Sequence, residues 1–155
     1  MSRISWLIAW SLLLGSPSAL LAEIKYEYAH QFVLKKDELG MVVINRKEVV
    51  KKATADVVNN QYVMRFRWTL FANNQLFLLV NYRGHPYQYI LNKSYPLESV
   101  SLPLLPEGID QMNAKVLIKI VFNDFSQSNK EAVLDIFIED NQERINVEFK
   151  PNKTK

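Results

Sequence analysis

The chain has 155 residues, with 19 Lys and Arg against 16 Asp and Glu and a formal charge of +3. That length suits one domain, and a charge so near balance says little in itself about nucleic acid. There is no cysteine, which excludes thiol catalysis, disulfide staples and a cysteine-linked lipid anchor.

The chain opens MSRISWLIAWSLLLGSPSALLA. Arg3 supplies a short positive region, residues 4–14 an apolar run, and Gly15 and Pro17 a break before the small residue Ala22. That succession is the pattern of a secretory signal peptide, and the run is too short to span a bilayer. Cleavage is expected between Ala22 and Glu23, although Leu20 is larger than usual for its place before the cut. Removal leaves a domain over residues 23–150, large enough to bury a core without staples, and a disordered basic tail over 151–155. Secreted animal domains usually carry disulfides, so a cysteine-free exported chain points to the bacterial periplasm or exterior. On that reading the triplets Asn92-Lys93-Ser94 and Asn152-Lys153-Thr154 match the glycosylation pattern by chance.

Residues 23–34 alternate, with Ile24, Tyr26, Tyr28, His30, Phe32 and Leu34 on one face and Lys25, Glu27 and Gln31 on the other. Strand side chains point alternately to the two faces, so this is a half-buried strand. A charged turn over 35–40 leads to a short strand at 41–44. Residues 46–58 are ambiguous: Val49, Val50, Ala53 and Val57 fit helical spacing, but the β-branched content favours a strand over 49–58.

The stretch from Gln61 to Leu91 organises the rest. Its first run puts Tyr62, Met64, Phe66, Trp68 and Leu70 on one apolar face and Arg65 and Arg67 on the other. Asn73-Asn74 can adopt the positive φ of a two-residue hairpin. The return run over 76–80 is apolar on both faces, as for an interior strand. Residues 83–86 make the next turn, and 87–91 a third strand. Trp68 is expected to pin two sheets together.

Prolines at 96, 103 and 106 mark residues 92–108 as an extended crossover between sheets, because proline cannot sit in a central strand. Alternation returns over 113–123 and 131–139, and Ile145, Val147 and Phe149 make a last strand. About eight short strands with regular turn signals predict an all-β fold. The expected form is one antiparallel β-sandwich, Ig-like or a similar Greek key, with a small closed β-barrel as the alternative. Residues 124–148 carry seven acids and two bases, whereas 23–119 carry thirteen bases and nine acids. Pairing of these halves across a sheet accounts for the asymmetry.

Catalytic motifs are missing from the sequence. No G-x-S-x-G elbow and no glycine-rich phosphate loop occurs. The paired acids Asp37-Glu38 and Glu139-Asp140 fall in turns. His30 reads as a core or rim histidine, since no second ligand stands at metal spacing. A hydrolase would require His30 or His85 to meet an acid in a cleft. Arg65, Arg67 and Arg83 lie among aromatics, as in single-strand nucleic acid binders. Export and ordinary strand composition argue against that partner.

Two stretches are candidate interaction surfaces: the turn region with Tyr82, Arg83, His85 and Tyr87, and the crossover with Leu102, Leu104 and Leu105. The first has the composition of a binding tip. The second is either a partner-docking segment or a cap on the core. The function expected is a non-catalytic binding or assembly module of the bacterial envelope. Its partner would be another envelope protein, with no cofactor, no nucleic acid and no membrane span after cleavage. The alternative is a small barrel carrying an apolar ligand.

Overall fold

The computed structural model describes residues 26–47, 61–94, 97–104 and 116–151. They form nine antiparallel strands: β1 (Tyr28–Lys35), β2 (Gly40–Arg46), β3 (Gln61–Ala72), β4 (Gln75–Tyr82), β5 (His85–Asn92), β6 (Ser99–Pro103), β7 (Val116–Ser126), β8 (Glu131–Asp140) and β9 (Ile145–Pro151). No helix occurs among the described residues. One sheet has the order β1-β8-β7-β6 and the other β5-β4-β3-β2-β9. The fold is a sandwich; the sheets do not close into a barrel, so the barrel alternative is set aside. Within the sandwich class, each sheet is a meander joined by a strand from the far end of the chain. β1 pairs with β8, and β9 pairs with β2.

The layering follows from the alternation. Even-numbered residues of β3, β4, β7 and β8 fill the space between the sheets, among them Met64, Phe66, Leu76, Leu78, Ile118, Ile120, Leu134 and Ile136. Each such side chain contributes about 1.5–3 kcal/mol by leaving water. Trp68 lies between the sheets as expected, 3% exposed. Its indole Nε1 donates to the Leu34 carbonyl at 2.8 Å, and its ring meets Phe125 of the facing sheet edge-on at 5.5 Å. The turns use the predicted chemistry. Asn73 and Asn74 have φ of 51° and 60°, as a type I′ hairpin requires.

Four expectations need correction. First, Leu70 does not face the core. A bulge between Trp68 and Leu70 adds one residue, so Leu70 turns out and Phe71 turns in. A matching bulge in β7, between Phe122 and Asp124, turns Phe125 in. Second, His85 and Pro86 are not turn residues. Arg83 (φ 55°) and Gly84 (φ 80°) make the whole turn, and His85 and Pro86 already pair with Tyr82 and Asn81. Pro86 is tolerated because β5 is an edge strand. Third, the crossover contains a strand, β6, which pairs along β7 and carries Pro103 on a sheet edge. Fourth, Pro151 belongs to β9, paired with Gly40, rather than to a tail. The ambiguous segment 49–58 lies outside the described residues.

Candidate functional site

Of the two stretches marked from sequence, the sandwich brings most residues to one end, around the β4–β5 hairpin. Tyr82 is buried beneath that hairpin, and its phenol Oη donates to the carbonyl of Leu104. Burial pushes the Tyr82 phenol up to about 12, with the neighbouring Arg83 pulling weakly the other way. Arg83 lies 5.6 Å above the ring of Tyr62, which meets Tyr82 at 6.5 Å. Tyr87 is 40% exposed and stacks on Tyr89 at 6.4 Å. Burial also raises the Tyr89 phenol. His85 is exposed at the start of β5.

The crossover leucines are used differently. Leu104 is fully buried, and its amide donates to Val116 at 2.8 Å. Leu102 packs partly against the core. Both therefore serve the core from the edge of the sheet. Leu105, Ala22 and Glu23 lie outside the described residues.

His30 stacks on Phe149 at 4.8 Å and meets Phe32 edge-on at 4.6 Å. An imidazole held between two phenyl rings is packed as an aromatic. Among the described residues, no cluster of His, Asp and Glu could hold a metal ion. Asp140 is the buried acid: its Oδ2 accepts the Ile145 amide at 2.9 Å, and Arg144 lies 4.0 Å from Oδ1. It ties the β8–β9 turn together. Among the described residues, Lys93 pairs with Asp124 at the surface, joining the basic and acidic halves, and holds that carboxyl below its usual range.

One surface escaped the sequence reading. On the outer face of the five-stranded sheet, Leu70 pairs with Phe77 and Phe77 with Ile90. Leu70 and Ile90 are 47% and 49% exposed. The result is an apolar row across three strands that ends on the edge strand β5. The sequence predicted a strand over 76–80 covered on both faces; instead Phe77 and Leu79 are only half-buried, because one face of this sheet packs on no second layer among the described residues. Only the bulge brings Leu70 beside Phe77. Next to this row, Leu39, Arg67, Leu79, Asn81 and Pro86 line a shallow cleft of about 350 Å³.

β5 itself is unusual for an edge. Its eight residues, HPYQYILN, include no Lys, Arg, Asp or Glu. Edge strands are normally blunted by charge, because their free amides and carbonyls template pairing. The Asn92 amide donates away from β4, to Leu97 at 2.9 Å. In an antiparallel ladder residues two apart point the same way, so Gln88 and Ile90 also aim their backbone groups away from β4, where no described strand pairs with them.

Comparison with known proteins finds no family model, no curated protein and no solved structure that matches this chain. The functional argument rests on these surfaces.

Proposed function

We propose that the protein is an exported, non-catalytic β-sandwich that serves as a binding or assembly module of the bacterial cell envelope. Its partner is another envelope protein, which adds an extended segment to β5 and covers the Leu70–Phe77–Ile90 row. The observation that carries this reading is the uncharged edge strand bordered by exposed apolar side chains. Strand addition draws affinity from main-chain hydrogen bonds and specificity from alternate side chains. Here Gln88 and Ile90 supply both. The leader-like start and the lack of cysteine support the compartment.

The test is photo-crosslinking in the native host from a benzoylphenylalanine placed at Ile90, with Asn141, exposed in the β8–β9 turn, as control. One discrete adduct to an envelope protein from position 90, and none from 141, is expected. No adduct, or the same smear from both positions, overturns the reading. The location is checked by the N-terminus of the protein recovered from the periplasm, expected at Glu23.

A further inference from the structure

Three hairpin tips meet at one end of the sandwich: the β1–β2 turn, the β3–β4 turn and the β7–β8 turn. Between them lies a cleft of about 470 Å³ lined by residues of all three, together with the ends of β3 and β7. That volume falls within the range of small-molecule sites, about 300–1,000 Å³. The cleft owes its wall to the paired bulges. Each turns one phenylalanine inward, and Phe71 and Phe125 stack at 3.9 Å with their planes 16° apart. Trp68 backs this wall from the core, 3% exposed and with its indole N–H already donated to Leu34.

The charges at this wall have one sign. Lys36 and Lys130 line the cleft, and no Asp or Glu does so among the described residues. Neither lysine forms an ion pair with a described residue. Of the acids in the same tip as Lys36, Glu38 accepts the Lys35 amide at 2.8 Å, and Asp37 is exposed without lining the cleft. Lys130 holds a left-handed φ of 53°, which costs a lysine about 1 kcal/mol relative to glycine. An aromatic wall below two ammonium groups that pair with no described acid is complementary to one kind of molecule: an apolar body with an anionic head.

We propose that this cleft binds a single-chain aliphatic carboxylate, with its chain along Trp68, Phe71 and Phe125 and its head at Lys36 and Lys130. The site does not involve β5, and Leu70 is the residue it shares with the apolar row.

The test uses three ten-carbon probes on the full chain at low salt: decanoate, decanol and decyltrimethylammonium. Binding is followed by calorimetry and by the NMR signals of Trp68 and Phe125. Decanoate is expected to bind at least about tenfold more tightly than decanol, and the cation not at all. The double variant Lys36→Glu, Lys130→Glu is expected to lose that preference while keeping the native circular dichroism spectrum and decanol affinity. Both lysines are solvent-exposed, so the fold does not need them. Equal binding of all three probes, survival of the preference after charge reversal, or no shift at Trp68 and Phe125 with millimolar decanoate overturns the proposal.

Discussion

A single phenol shows how one buried polar group couples the fold to pH. Tyr82 keeps its proton to about 12, against 10.0 for a free phenol. The folded chain therefore holds that proton more tightly than the unfolded chain. The stabilisation is complete below pH 10 and disappears as pH rises towards 12, a loss of about 2–3 kcal/mol. Tyr82→Phe should cost about 1 kcal/mol at pH 7, through the lost bond to Leu104, and should flatten that alkaline fall in urea-denaturation stability. Tyr28 and Tyr89, also raised by burial, would account for the slope that remains. Gly40 makes a second prediction at this scale. A Cβ there would stand 2.5 Å from two ring carbons of Phe66, which is itself fixed between the sheets. Gly40→Ala should cost about 1–3 kcal/mol, read as a fall in melting temperature, because the ring has no room to retreat.

Among the elements, β3 and β7 change faces midway, and β3 offers the sharper test. Strict alternation would make Leu70 a core residue and Phe71 a surface one; the bulge reverses them. The two substitutions therefore discriminate. Leu70→Ser should change stability by less than about 0.5 kcal/mol. Phe71→Ala should cost about 2–3 kcal/mol, through the lost burial and the stack on Phe125. Chemical denaturation of both variants decides it. On β5, Gln88→Lys should leave the melting temperature unchanged, since the side chain is exposed, and should abolish the adduct formed from position 90 by charging the edge. Most elements were legible from period-two hydrophobicity, and β7, β8 and β9 lie where Val116, Ala132 and Ile145 mark them. β6 was hidden because two prolines flank a five-residue strand and a third lies within it, where a paired edge strand tolerates it.

At the scale of the molecule, neither sheet is local. β1 joins β8 across more than a hundred residues, as the Gln31–Asp135 hydrogen bond shows with a separation of 104. β9 closes the other sheet against β2, so the chain's two ends lock opposite layers. Each sheet is complete only once its own terminal strand, β1 or β9, has docked. Removal of residues 141–155 should therefore yield an unfolded chain rather than a smaller sandwich, visible as loss of near-ultraviolet circular dichroism. The intact protein should unfold in one transition, coincident by far- and near-ultraviolet signals, and refold in milliseconds to seconds, as non-local β topologies do. Either candidate binding surface also exists only at this scale. The end cleft needs three hairpin tips, and the apolar row needs three strands in register.

The sequence alone determined the class of fold, the inward residues of most strands, the Asn73-Asn74 turn and the burial of Trp68. These are consequences of local alternation and backbone preference, which are written residue by residue. Only the tertiary structure decided which strand borders which, that two bulges turn Phe71 and Phe125 together, and that Leu104 is committed to the core while Leu70 and Ile90 are left outside. Those outcomes depend on register and on contacts between distant segments, and a bulge costs so little locally that no pattern of nearby residues announces it.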